Sequence, residues 1–130
     1  MPRILVVEDD PDVRVILEHV LFDAGHEVDT ATNVRDGRDL LESREYHLLL
    51  ADGRLPDGTG IELADLADAV GIPVLIITGY AFILRELSAS NPDKYRVLLK
   101  PMRPEEIVAA VEESLRDGAG LRGLQRPTLT

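Results

Sequence analysis

The sequence predicts an α/β fold, a doubly wound five-stranded parallel sheet with helices on both faces. Three observations support this prediction. Five short apolar runs alternate with segments of helical periodicity, the connections between them are short, and Leu48–Ala51 is continuously apolar, as in a strand buried on both faces. Right-handed crossovers between parallel strands then place the helices on both sides of the sheet.

The first strand–helix unit begins near the N-terminus. Arg3–Val7 is a short apolar run that ends at the acidic residues 8–10. Asp10 is expected to be the N-cap of a helix, because Pro11 suits the first helical turn. Gly25 follows the last apolar residue of the helical pattern and is expected to end that helix.

The later units repeat this pattern. The second strand is weaker and alternating, so it is expected near an edge, and Asn33 is expected to cap the helix after it. Strands are predicted over 26–31, 47–51, 74–77 and 96–99, and helices over 33–43, 60–69, 81–90 and from Pro104. Residues 1–117 are expected to form one domain, followed by a flexible tail over 118–130.

Composition and charge narrow the possible functions. The formal net charge of −10 argues against binding nucleic acid or an anionic membrane through bulk charge. The absence of cysteine excludes disulfides and thiol chemistry. No segment resembles a signal peptide or a membrane span, so a cytoplasmic protein without nucleic-acid or membrane partners is expected.

Two doubly wound strand orders are compatible with these elements, the Rossmann-like and the flavodoxin-like order. No glycine-rich phosphate loop follows the first strand, where Glu8 and Asp9 stand instead. The sequence therefore argues against a dinucleotide or nucleoside triphosphate site.

Polar side chains follow four of the predicted strands. Glu8 and Asp9 follow the first strand, Asp52 the third, Thr78 the fourth and Lys100 the fifth. Singly, each has an ordinary explanation, such as capping a helix, starting a turn or lying on the surface. Because the carboxyl ends of parallel strands share one edge, their joint placement favours a functional site.

The charges of these residues indicate phosphoryl chemistry. Three crowded carboxylates need a counterion, and hard oxygen ligands suit Mg²⁺. Together with Lys100 and the Thr78 hydroxyl, such a cation would neutralise the oxygens of a phosphoryl group. Asp52 would then attack as the nucleophile and become an acyl phosphate, whose charge could pull a loop inward and change a surface.

The sequence resembles the response-regulator receiver domains of two-component signalling, including the single-domain chemotaxis regulator. The resemblance covers about residues 3–116. It rests on four motifs: Ile-Leu-Val-Val-Glu8-Asp9-Asp10-Pro, Asp52-Gly-Arg-Leu-Pro56-Asp-Gly-Thr-Gly60, Pro73-Val-Leu-Ile-Ile-Thr78-Gly, and Lys100-Pro101. It implies the flavodoxin-like strand order 2-1-3-4-5.

The resemblance also implies a role in a phosphorelay. Asp52 would accept phosphate from the phosphohistidine of a sensor histidine kinase or a phosphotransfer protein. Asp9, Asp52 and the backbone carbonyl of Arg54 would hold Mg²⁺, with Glu8 helping through water, and the Lys100–Pro101 peptide would be cis. Such a domain promotes its own phosphorylation and dephosphorylation without being a turnover enzyme. Its output would be protein binding at the face of the fourth helix, fifth strand and fifth helix.

Three positions depart from the family pattern or have no settled role. Val97 stands where the family usually carries a Tyr or Phe switch, and Tyr95 lies two residues, about 6.6 Å, further from the site edge. Tyr80 is the candidate replacement, because residues 73–80 partly match a receiver subgroup with P-F-x-F-A-T-G-Y; the alternative is an aromatic that covers the fourth helix. Arg54 occupies a position that the family uses to tune access of water, so it is expected to alter the lifetime of the phosphoryl group.

Two other interpretations remain. A degenerate receiver would act as a phosphorylation-independent binding module, although all five polar site residues are retained. A haloacid-dehalogenase-like phosphatase also uses an Asp nucleophile and Mg²⁺. That chemistry needs a second Asp two residues after the first, where this chain has Arg54.

Overall fold

The computed structural model describes residues 1–79 and 95–128, with side chains described up to residue 117. Its elements are, in chain order, β1 (Arg3–Val7), α1 (Pro11–Asp23), β2 (Glu27–Ala31), α2 (Val34–Ser43), β3 (Leu48–Asp52), β4 (Arg54–Leu55), β5 (Gly58–Thr59), α3 (Gly60–Ala69), β6 (Val74–Thr78), β7 (Arg96–Leu99) and the C-terminal helix (Pro104–Thr128). The helix predicted over 81–90 and the switch candidate Tyr80 lie outside the described residues.

The five longer strands of the described residues form one parallel sheet in the order β2-β1-β3-β6-β7. The two-residue strands β4 and β5 pair only with each other, as a small antiparallel ribbon in the loop after Asp52. Without that ribbon the order is 2-1-3-4-5, so the predicted flavodoxin-like fold is confirmed. The predicted edge position of the second strand is confirmed as well.

Alternate residues of the central strands pack on opposite faces of the sheet, as the two-residue period of a strand requires. One face carries Leu5, Val7, Leu49 and Ala51, which pack with Val34 of α2 and Leu63, Ala64 and Ala67 of α3. The other face carries Ile4, Val6, Leu48 and Leu50, which pack with Leu17 and Leu21 of α1 and Ile107 and Val111 of the C-terminal helix. Each buried Leu or Ile contributes about 1.5–3 kcal/mol, so both helical layers are firmly attached to the sheet that carries the site.

The predicted helix caps are confirmed. Asp10 Oδ1 accepts hydrogen bonds from the amides of Asp12 (2.9 Å) and Val13 (3.4 Å) at the start of α1. Asn33 Oδ1 accepts from the amide of Asp36 at 2.8 Å in α2. Gly25, just beyond α1, has a φ of +93°, a conformation in which glycine carries no steric penalty.

The C-terminal helix continues past residue 117, into the segment expected to be a tail, and ends at Thr128. Each glycine in that segment weakens a helix by about 1 kcal/mol relative to alanine without forbidding it. The flexibility expected for residues 118–130 stays a prediction. Among the described helices none is long and apolar enough to cross a membrane.

Candidate functional site

Strand register brings the predicted site residues to one edge of the sheet. Val7 pairs with Ala51, Asp52 with Ile77 and Thr78 with Leu99, so the strands end at nearly the same level. The residues at or just beyond these ends are Glu8, Asp9, Asp52, Thr78 and Lys100. The structure therefore places all five at a common edge.

Lys100 connects the carboxylates at this edge. Its Nζ donates hydrogen bonds to Asp52 Oδ2 at 2.9 Å and to Glu8 Oε1 at 2.7 Å. Its backbone amide donates to the carbonyl of Thr78 at 2.9 Å, and the Thr78 side chain is fully buried. The Lys100–Pro101 peptide is cis, as the resemblance implies.

Glu8 is the most deeply buried acid of the site, with 1% of its surface exposed. Burial raises the pKa of Glu8 to about 7, and the neighbouring Asp52 acts in the same direction, whereas Lys100 opposes the shift. Burial also disfavours the charge of Lys100. The hydrogen bonds to Glu8 and Asp52 outweigh this effect of burial and raise the pKa of Lys100. The lysine therefore stays charged at neutral pH.

Three carboxylates form a group that could hold a metal ion. Oxygen atoms of Glu8, Asp9 and Asp52 all lie within 4.8 Å of one another. Glu8 and Asp52 are buried and Asp9 is exposed, so the group opens to a cavity of about 600 Å³ that Arg54 and Gly79 also line. An all-oxygen donor set that solvent can complete fits a hard divalent cation such as Mg²⁺.

The loop after Asp52 is held close to the acceptor carboxylate. The amide of Arg54 donates to Asp52 Oδ1 at 3.2 Å, and Arg54 is an exposed residue that lines the cavity. The amide of Gly60 donates to the carbonyl of Gly53 at 3.1 Å and closes the base of the loop. A Cβ atom at Gly60 would lie 2.1 Å from the Asp52 carbonyl oxygen, so only glycine fits there.

The positions that depart from the family pattern have different surroundings. Val97 packs against the core cluster on the α2–α3 face of the sheet. The hydroxyl of Tyr95 donates a hydrogen bond to Asp65 of α3, and the residue is 8% exposed. Tyr95 is therefore held at α3, away from the site edge.

Three contacts near the site were not anticipated from the sequence. Lys100 binds Glu8 as closely as it binds Asp52, Arg14 Nη1 donates to the Glu8 carbonyl at 3.1 Å, and Asp57 contacts the start of α2. The turn signal Pro56-Asp57-Gly58 was recognisable in the sequence, but its distant partner was not.

The fold and the site define a doubly wound α/β domain with an acidic, lysine-bridged pocket at the carboxyl edge of its sheet. A family model described as the response regulator receiver domain matches residues 4–112. The chain belongs to this family, whose members are generally signalling modules rather than turnover enzymes.

Named relatives and a solved structure agree with this assignment. The response regulator protein PilR of Pseudomonas aeruginosa is 34% identical over 112 residues, covering 82% of this chain and 25% of PilR. The response regulator receiver protein CpdR of Brucella abortus is 33% identical over 117 residues, covering 88% of this chain and 98% of CpdR. The response regulator TrrA of Thermotoga maritima, solved in complex with Mg²⁺-BeF, matches with a TM-score of 0.77 and 29% identity over 87% of this chain and 98% of its own.

The chain thus spans a quarter of PilR but nearly the whole length of CpdR.

Proposed function

We propose that this receiver domain is the phosphoacceptor of a two-component phosphorelay and that Asp52 accepts the phosphoryl group from a phosphohistidine. The observation that supports this most directly is the contact of Lys100 with both Asp52 and Glu8. The lysine keeps a permanent positive charge beside the buried carboxylate of Asp52, which lines the cavity. That arrangement suits a reaction in which negative charge accumulates at the carboxylate.

The proposed reaction forms a bond between an Asp52 carboxylate oxygen and phosphorus, while the phosphorus–nitrogen bond of the donor histidine breaks. The bonding electrons leave with the imidazole, and the carboxylate becomes an acyl phosphate. Lys100 offers its ammonium to a phosphoryl oxygen once Asp52 Oδ2 is phosphorylated or turned away. Thr78 is proposed to donate its hydroxyl to another phosphoryl oxygen.

The proposed metal ligands are the carboxylates of Asp9 and Asp52 and the backbone carbonyl of Arg54, with Glu8 acting through water. When bound, Mg²⁺ neutralises charge on the phosphoryl oxygens. The spacing of the acidic group supports this assignment, and so does the solved complex of the relative TrrA with Mg²⁺-BeF. Glu8 must lose its proton to take this role, and its raised pKa makes the loss depend on pH near neutrality.

The partners remain part of the proposal. The donor is a sensor histidine kinase or a phosphotransfer protein in the cytoplasm, and the phosphorylated domain binds a downstream protein. The face of the fourth helix, fifth strand and fifth helix is the proposed output surface, to which Tyr80 contributes. One relative is named a transcriptional regulatory protein, so the expectation of no nucleic-acid partner stays a prediction.

The proposal is tested by labelling the protein with a phosphorylated kinase or acetyl phosphate, with and without Mg²⁺. We expect Mg²⁺-dependent labelling of the wild type and none in Asp52→Asn. Asp23→Asn is the matched control, because Asp23 is an exposed carboxylate at the end of α1, on the opposite edge of the sheet, and it should label normally. Absence of labelling in the wild type would favour the degenerate binding module.

A further inference from the structure

Asp57 makes an unusual contact at the tip of the β4–β5 ribbon. Its Oδ1 accepts a hydrogen bond from the amide of Val34 at 2.7 Å, and its Oδ2 accepts from the amide of Arg35 at 3.1 Å. These are the first two amides of α2. One carboxylate in the loop after Asp52 thus binds a helix that begins 23 residues earlier in the chain.

The helix does not depend on Asp57 alone for its cap. Asn33 already satisfies the next two amides of α2, with its side chain accepting from Asp36 and its carbonyl from Gly37. Water commonly satisfies the remaining free amides of an exposed helix end. The contact with Asp57 is therefore of greater consequence for the loop, since a two-residue ribbon has little stability of its own.

The loop is fixed at three levels. Its base is closed by the bond between Gly53 and Gly60, and its middle is held by the Leu55 side chain, which is 6% exposed in the α2–α3 core cluster. Its tip is held by Asp57. Arg54 lies between the base of the loop and Leu55. Its backbone amide donates a hydrogen bond to Oδ1 of the proposed phosphoacceptor Asp52.

We propose that Asp57 is a positioning residue, which ties the ribbon to α2 and thereby holds the backbone carbonyl of Arg54 in place for Mg²⁺. This inference rests on the proposed function, because it concerns the metal site of Asp52. Asp57 acts through the ribbon and touches neither the metal nor the phosphoryl group. Without this contact the ribbon samples other positions. Binding of the metal must then also order the ribbon, which weakens the observed affinity.

The test compares Asp57→Ala with Asn33→Ala. Both substitutions remove hydrogen bonds from the start of α2, so both should lower the melting temperature, but only Asp57→Ala releases the loop. Mg²⁺ affinity is measured by titration while the backbone amide signals of Gly53 and Arg54 are followed by NMR. We expect a several-fold weaker affinity in Asp57→Ala and wild-type affinity in Asn33→Ala. Asp57→Asn keeps one acceptor oxygen and should lie between.

Three outcomes would overturn the inference: wild-type Mg²⁺ affinity in Asp57→Ala, an equal loss in Asn33→Ala, or no Mg²⁺ response in the wild type. The titration needs no phosphodonor. Normal Mg²⁺ binding without any labelling of Asp52 would therefore refute the proposed function. The effect of Asp57 on Mg²⁺ affinity could still be measured in that case.

Discussion

The ammonium of Lys100 lies 2.7 Å from the carboxylate of Glu8, so the lysine binds the buried acid beside the acceptor as well as the acceptor itself. One cation thus offsets two carboxylates in a buried setting. Removing it would leave two neighbouring negative charges without their shared partner, which is more costly inside a protein than at its surface.

Lys100→Ala should slow phosphorylation of Asp52 by roughly 100-fold, the usual cost of losing one donor to a developing anion. The initial rate with acetyl phosphate at saturating Mg²⁺ measures this effect, and circular dichroism verifies the fold. Addition of methylammonium, a small cation, should restore part of the rate. A variant that reacts at the wild-type rate would show that Lys100 does not contact the phosphoryl group in the transition state.

The stability of the metal-free protein should fall as pH rises through about 7, because the pKa of Glu8 is raised from 4.5 to about 7 in the folded state. The folded protein binds this proton more tightly than the unfolded chain. The stabilisation is therefore complete below pH 4.5 and is lost as pH rises through about 7.

Glu8→Gln should remove this dependence and stabilise the metal-free protein above neutral pH by on the order of 2 kcal/mol. Mg²⁺ should oppose the loss in the wild type, since a cation held at Asp9 and Asp52 favours the ionised form of the nearby Glu8 carboxylate. Urea unfolding across this range, with and without Mg²⁺, checks both statements. An unchanged pH profile in Glu8→Gln would assign the dependence to another group.

Gly60→Ala should destabilise the domain by several kcal/mol and impair phosphorylation, because the new Cβ would lie 2.1 Å from the carbonyl oxygen of Asp52. Either α3 or the end of β3 must move to relieve the clash. Thr59→Ala is the neighbouring control, since within the described residues the Thr59 side chain makes no capping hydrogen bond to α3. Equal melting temperatures for Gly60→Ala and the wild type would contradict the close approach.

His26 should make the protein less stable in acid. It is 7% exposed, and within the described residues neither ring nitrogen has a hydrogen-bond partner. Burial lowers the pKa of His26, with the N-terminus acting in the same direction and Glu112 of the C-terminal helix opposing it. The stabilisation of the neutral ring is therefore present above pH 6.5 and is lost as pH falls below that value.

The effect of His26 is measured best in a Glu8→Gln background, because Glu8 acts in the opposite direction. His26→Phe should make the free energy of unfolding less sensitive to pH between about 7 and 5. If the free energy of unfolding changes with pH equally with and without His26 in that range, the burial of His26 as a neutral ring is not the cause of the acid sensitivity.

The sequence was sufficient for those features that depend on local pattern. Continuous apolar runs located the strands, and capping residues such as Asp10 and Asn33 located helix starts, because both signals involve neighbours in the chain. The carboxyl ends of the strands located the site edge, since in a parallel sheet these ends all lie at the same edge.

Features that depend on distant contacts or on depth of burial could not be predicted in this way. The contact of Asp57 with α2 joins residues far apart in the chain, and the depth of Glu8 follows from packing around β1 rather than from the acidic run itself. The hydrogen bond from Tyr95 to Asp65 depends on how closely α3 packs on the sheet. The tail expected over 118–130 lies largely within the C-terminal helix, which the structure continues to Thr128.

Several acids lie near the cavity, and of these Asp52 is the one proposed to carry the phosphoryl group. The most direct measurement is peptide mapping by mass spectrometry after the protein has been phosphorylated in Mg²⁺ and trapped with borohydride. We expect modification at Asp52 alone, and none in Asp52→Asn. Modification at Asp9, Asp10 or Asp57 instead, or persistence in Asp52→Asn, would contradict it.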